Sequence, residues 1–210
     1  MTYAELSALM QSMLQNTETT FVANIPQLVK VAERRVYNEA QLPVTRQNST
    51  TSFTASSPYL AVPTDFISAY EVTVISSGLY SPVLPVDVGF IRECYPDPTV
   101  TGTPKHYALF DEKAFLVGPT PTAGLTAELH YFRMPASIVT QSSTWLGDNW
   151  PDALLYASLL EGYIYMKGEA DLLQVYNQHY QESLAELKVA AGGKMRGDTY
   201  RDGQAKGPVP

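Results

Sequence analysis

Cysteine is almost missing. Cys94 is the only one in 210 residues, so no internal disulfide can form. A lone cysteine points weakly to a reducing compartment or to assembly inside a cell, and it reads as a small buried or half-buried side chain. Long hydrophobic runs are missing too. No stretch approaches the roughly 20 apolar residues that span a bilayer, so no membrane partner is expected. The first residues, MTYAELSALMQSMLQ, lack the basic region and compact apolar core of a signal peptide and read as an amphipathic helix of the mature chain. Positive charge is scarce, with 14 Lys and Arg against 21 Asp and Glu, a net charge of −7. A dedicated nucleic-acid binder shows a basic face, and this composition argues against one. An acidic surface past which DNA slides remains compatible with it.

Motifs of chemistry are also absent. The chain has no HExxH, no CxxC pair, no glycine-rich phosphate loop and no GxSxG. Its three histidines, His106, His130 and His179, fall on different predicted elements. His106 and His130 can meet across strands, but no third ligand is apparent, so neither metal nor cofactor is expected. Asp148 and Asp152 flank Trp150, an arrangement that can suit a sugar site. The better reading is a helix entry, with Asn149 or Trp150 as N-cap and an acid in the first turn. Glu161, amid apolar neighbours, is expected to be paired or to face an interface. Arg34 and Arg35 either contact acidic groups of a partner or lie on a solvated face balanced by Glu33 and Glu39.

Fourteen tyrosines and fifteen prolines are many for this length and suit a β-rich part with numerous turns. Tyr3, Leu6, Met10, Met13 and Leu14 form a helical stripe, with Thr2 and Glu5 as a capping box. A second helix is expected from about Ile25, with Pro26 in its first turn and Pro43 beyond its end. From Val44 the period becomes two. TTSFTAS, YLAVP, YEVTVIS, HYALF, AFLVGP and TAELHYFRMP read as strands, with Asp111-Glu112 as a hairpin turn and Leu129 and Tyr131 on one face. DVGFIRECYPD breaks that period and predicts a short helix. In LAVPTDF, Asp65 is expected to form an Asx-type turn and Phe66 a core anchor. Helices return over about Trp150–Lys167, stopping at Gly168, and from Glu169 to about Ala190. Gly192-Gly193 is expected to end the last one. The remainder carries four basic and two acidic residues, a net +2 that leaves −9 on the rest. It reads as an extended arm.

The expected fold is therefore α+β. Residues 1–43 and 148–191 form a helical bundle, 44–147 an inserted antiparallel β-sandwich or barrel lobe, and 192–210 an extended flexible arm.

Several stretches, in order, resemble the head-to-tail adaptor proteins of tailed phages, also called connector, head-completion or tail tubular A proteins. Tyr59–Phe66 is similar to their Y-L-x-L-P-x-D-F, and Gly102–Ala108 to their G-x-P-x-x-Y. Leu116–Pro121 is similar to L-x-P-x-P, and Leu129–Pro135 to a strand ending in Y-y-r-x-P. Asn149–Tyr163 is similar to the start of their long helix, with the proline here directly after the tryptophan. The resemblance covers about residues 1–190 and includes no catalytic motif. It implies a structural protein without enzymatic activity, located in the virion neck and assembled in the host cytoplasm. It implies a homo-oligomeric ring, usually twelve subunits, docked on the portal and presenting a platform to a tail nozzle or tail tube protein, with DNA only as passing cargo. It also implies a C-terminal extension that reaches the portal. Lys194, Arg196, Tyr200, Arg201 and Lys206 are the candidates for that contact. Leu155, Leu159, Tyr163, Arg34 and Arg35 are the candidates for the subunit interface, because the helix carrying the first three is apolar on nearly every side. Other readings are a tail-completion or baseplate adaptor, a small glycan hydrolase built on Asp148 or Asp152, and a carbohydrate-binding β module.

Overall fold

The computed structural model of the chain describes the backbone of residues 1–195 and the side chains of residues 1–191. It is mixed α+β, with six α-helices and a curled seven-stranded sheet among the described residues. The chain divides into two compact units, one of Met1–Pro43 with the chain from Pro135, the other Val44–Met134.

In the helical unit, α1 (Tyr3–Met13) begins at Thr2. The Glu5 amide donates to Thr2 Oγ1 and the Thr2 amide to Glu5 Oε2, the expected capping box. The helix closes through a Schellman turn, in which Gln15 takes φ +49° and the Asn16 amide donates to the Gln11 carbonyl. The next helix, α2 (Thr19–Glu39), starts six residues before the expected Ile25, so Pro26 lies inside it. Burial explains the difference. Phe21, Ile25, Val29, Ala32 and Val36 form one buried stripe, and the Phe21 end is held by its ring against Tyr165 and by Asn24 Nδ2 donating to Tyr165 Oη at 3.1 Å. Tertiary contact outweighs the one backbone hydrogen bond that Pro26 cannot make.

Past Pro135, Thr144 caps a short α4 (Trp145–Asn149), which the sequence reading did not expect, ahead of α5 (Pro151–Tyr165), whose N-cap is Trp150. Helix α5 is the centre of this unit. It packs against α1, α2 and α6 (Ala170–Met195). Ala153, Leu154, Ala157, Ser158, Leu159, Leu160 and Gly162 are all buried within the chain. Its end is a second Schellman turn. The Gly168 amide donates to the Tyr163 carbonyl and the Lys167 amide to that of Ile164. Lys167, at φ +55°, and not Gly168, takes the left-handed position. Gly168 serves close approach instead, since a Cβ there would lie 2.3 Å from the Tyr163 ring. The last helix does not end at Gly192-Gly193 but continues to Met195. Two glycines cost a helix only about 1 kcal/mol each, and Tyr180, Leu184, Leu187 and Ala191 hold the preceding turns by burial.

In the β unit, β1 (Arg46–Ser52), β2 (Tyr59–Ala61), β3 (Phe66–Ser76), β4 (Leu79–Pro85), β6 (His106–Leu109), β7 (Ala114–Gly118) and β9 (Thr126–Arg133) form one sheet in the order β1-β9-β3-β4-β6-β7-β2. The pair β5 (Thr101–Gly102) and β8 (Thr120–Pro121) stands apart as a small parallel ladder. The sheet curls, because residues from both of its ends share one core: Val72, Val74, Leu129 and Tyr131 pack with Leu60, Phe115 and Val117. Phe66, the expected anchor, is half-buried, with its ring edge-on to Phe115 at 5.3 Å. Asp65 is tied across the sheet, its Oδ1 accepting from Tyr131 Oη at 2.8 Å. The short helix α3 (Val88–Cys94) is present with Ile91 buried, but Cys94 at its last turn is exposed. Strand β4 was not singled out in the sequence. Its hairpin with β3 turns on Ser77-Gly78, both at positive φ, the two-residue turn that matches strand twist.

Two outcomes follow. Lys167→Gly removes the left-handed strain of a side chain and should stabilise the chain by about 0.5–1 kcal/mol in chemical denaturation; a loss of stability contradicts the assignment. Glu33 is buried, and burial raises its pKa above the ordinary carboxylate value although the Ile138 amide donates to it at 2.9 Å. A raised folded pKa favours the fold below the unfolded pKa, and that contribution fades as pH rises through the folded one. Wild type should therefore lose stability relative to Glu33→Gln as pH rises above the ordinary carboxylate value of about 4, and a pH series of urea melts reads the sign directly.

Candidate interaction surfaces

The residues with chemical potential are dispersed. In the β unit, His106 Nδ1 lies 2.9 Å from Tyr95 Oη, and His130 sits between Glu128 (3.4 Å) and Glu71 (3.8 Å). His106 on β6 and His130 on β9 are separated by two strands of the sheet order, so they do not meet across neighbouring strands. In the helical unit, the His179 ring stacks on Tyr156 at 5.0 Å. No group of three or more His, Cys, Asp or Glu among the described residues is placed to hold a metal ion, and no described helix is long and apolar enough to cross a membrane. Asp148 and Asp152 occupy the first turns of α4 and α5, where an acid complements the amide ends of the helix.

The candidate interface residues separate by burial. Leu159 has no exposed surface and packs wholly inside the chain, which corrects its expected place at a subunit contact. The cause is the packing of α1, α2 and α6 around α5, cover that the sequence left open. Leu155 and Tyr163 are half-buried, and the Tyr163 ring meets Tyr176 edge-on at 5.6 Å. Arg34 is exposed. Arg35 is half-buried and pairs with Glu161 of α5, an ion pair whose approach lies off the hydrogen-bonding direction. Their neighbour is the Tyr180 hydroxyl of α6. Burial, then the Glu39 carboxylate, pushes its pKa up, while Arg35 pulls it down. Helices α2, α5 and α6 thus meet around a polar knot of Arg35, Glu39, Glu161 and Tyr180. Of the arm candidates, Lys194 falls within α6. Arg196, Tyr200, Arg201 and Lys206 lie outside the described residues.

What each unit displays instead is apolar surface. Beside Arg35 an open groove of about 400 Å³ is lined by Leu160, Ile164, Leu173 and Gln174. Ile164, Tyr165, Leu172 and Val175 are exposed at the same end of α5 and α6. In the β unit the tip of the β3–β4 hairpin carries Leu79 at 74% and Tyr80 at 67% exposure. Ile67 and Tyr70 are exposed on β3. Arg46 lies over the Tyr70 ring, 4.7 Å from its centre. Side chains of this size in clusters mark surfaces that meet other molecules. Those of the β unit were not named as contacts in the sequence reading, because a strand with alternate apolar residues looks the same whether its wet side meets water or a partner.

A family model described as SU10 adaptor protein matches residues 1–206. The chain belongs to that family. Membership covers both units and agrees with the resemblance to phage head-to-tail adaptors carried by Tyr59–Phe66 and the segments after it. No curated protein matches the chain. An adaptor family implies partners among phage head and tail proteins, and exposed apolar clusters suit such a role.

The burial of Leu159 is open to direct test. Leu159→Ala should destabilise the isolated chain by about 2–5 kcal/mol, the cost of a core cavity. A residue serving only a subunit contact would leave the melting of the free chain unchanged.

Proposed function

We propose that this chain is a structural virion adaptor that forms a ring between the portal and the tail or nozzle, a conduit for the genome and a platform for tail attachment. The observation that carries the reading is the adaptor-family match along residues 1–206. Its support in the structure is the exposed apolar surface of each unit. A subunit in a closed ring buries two different surfaces against its neighbours, and a third against the parts above or below. The ring is a homo-oligomer, taken as twelve subunits, resident in the virion neck after assembly in the host cytoplasm. Leu155, Tyr163, Arg34 and Arg35 remain candidates for the subunit contact through the surface they keep. DNA passes as cargo, and the acidic balance of the chain, −7 overall, disfavours sticking to it.

Lys194, Arg196, Tyr200, Arg201 and Lys206 are assigned to the portal contact. A net positive segment can order itself on an acidic partner, at an entropy cost that the contacts offset. Mixing the chain with its cognate portal and imaging the product by electron microscopy tests the reading, with a ring seated on the portal as the expected result. Persistent absence of any portal complex would reject it. Removing residues 196–210 should abolish docking while the circular dichroism spectrum stays nearly the same, because every element described above lies within residues 1–195. Undiminished docking would separate the tail from the portal contact.

A further inference from the structure

In the seven-stranded sheet β1, β2 and most of β4 leave an edge open among the described residues, and the sequence treats them differently. Strand β2 is only three residues long. In β4 the hairpin register pairs Ser76 with Leu79, Ile75 with Tyr80 and Thr73 with Pro82. In a two-residue hairpin the pair next to the turn is hydrogen-bonded and pairs alternate from there, so Tyr80 and Pro82 point their backbone outward. Proline has no N–H to offer, and this edge is blunted.

Strand β1 has no such guard. Its register with β9 runs unbroken from Arg46↔Phe132 to Ser52↔Thr126. The next residue, Phe53, donates to the Leu125 carbonyl at 3.0 Å, which fixes the phase of the ladder. Gln47, Ser49 and Thr51 therefore bond to β9, and Arg46, Asn48, Thr50 and Ser52 turn N–H and C=O away from it. All four are exposed. On that edge the Asn48 carbonyl is met by Gln47 Nε2 at 3.3 Å. β1 contains no proline, no lysine and no bulge.

We infer that the free edge of β1 is a strand-addition site for an extended segment of a different protein in the assembled particle. A second copy is a poor donor. Its β4 edge is blunted and its β2 is short. A second β1 strand, RQNSTTS, contains no acidic residue to answer Arg46. Residues 196–210 of another copy contain three glycines and two prolines, which suit a strand badly. The side chains beside the edge describe the guest. Arg46 lies over Tyr70 and Phe132, next to a hollow of about 280 Å³ lined also by Gln47, Asn48 and His130, and has no carboxylate partner among the described residues. The guest is a proline-free segment of about six residues, with an acidic residue beside Arg46 and small or β-branched polar residues beside Asn48 and Thr50.

The inference rests on the chain being a particle component, and the experiment separates the two. Amide exchange is compared between the free chain and the chain in purified particles. The amides of Arg46, Asn48, Thr50 and Ser52 should exchange at least about 100-fold more slowly in the particle, as paired strand amides do. Absence of the chain from particles rejects the adaptor reading. Presence with those amides unprotected rejects the strand-addition site alone. Thr50→Pro removes an outward N–H and leaves the β9 ladder intact, so the free variant should melt like wild type yet enter particles at least about tenfold less. Equal incorporation overturns the inference. Should the variant fail to fold, the wild-type exchange comparison decides. A photo-crosslinker at Ser52 should capture a different particle protein; capture of another copy of this chain overturns the choice of partner.

Discussion

Helix α5 has no wet face, and the helical unit is organised around that fact. Fifteen residues beginning at Pro151 expose little but their ends, so the helix needs neighbours on three sides. Helices α1 and α2 come from the first forty residues, α6 from the last described ones. The chain must return to its beginning after an excursion of about ninety residues, from Val44 to Met134. Burying the side chains of α5 repays the loop-closure entropy of that return, which grows only slowly with length. The α2 register, the retention of Pro26 inside a helix and the continuation of α6 through Gly192-Gly193 are all consequences of packing against or beyond this centre. Each overrides a local preference worth about 1–3 kcal/mol.

The same centre explains the polar knot. Glu161 emerges from an otherwise apolar helix where α2 and α6 converge, and Arg35 answers its charge. A half-buried ion pair contributes little net stability but is costly when half of it is removed. Its use here is register, because Arg35 on α2 and Glu161 on α5 meet only in one sliding position of the two helices, and Tyr180 of α6 closes the same spot. Glu33, two residues before Arg35 and so on another face of α2, acts similarly: its buried carboxylate receives the Ile138 amide and fixes the loop that follows Pro135.

Much of this was legible in the sequence, and the failures have identifiable causes. The capping box at Thr2, the buried alternation of Leu129 and Tyr131, the Asp111 turn and the short helix around Ile91 are local devices, and local devices can be read from local sequence. Leu159 could not be placed, since a residue on an all-apolar helix looks the same whether its cover is the same chain or another subunit. The end of α5 was misassigned in detail. Gly168 follows the expected pattern of a helix stop, but the left-handed residue is Lys167 and the glycine is there for the Tyr163 ring. Strand β4 escaped because Pro82 argues against a strand, although proline is tolerated where the N–H would face outward. Cys94 was expected to be covered and is exposed, because the last turn of a seven-residue helix has only one buried position, Ile91, to follow.

The two long edges of the β unit then become informative together. A chain that had only to remain separate would guard both, and β4 shows that the guard was within reach, since one proline at an outward position suffices. On β4 the guarded backbone sits beside the most exposed apolar side chains of the unit, Leu79 and Tyr80, where an open edge would invite indiscriminate pairing. On β1 the backbone is open but the side chains are Ser, Thr, Asn, Gln and Arg, which associate weakly without a matching strand. Apolar surface with a blocked backbone and open backbone with a polar surface each supply half of what aggregation needs. Under the proposed ring assembly, a subunit that must stay separate until it meets its partner has reason to keep those halves apart, and only a partner that brings the missing half completes either contact.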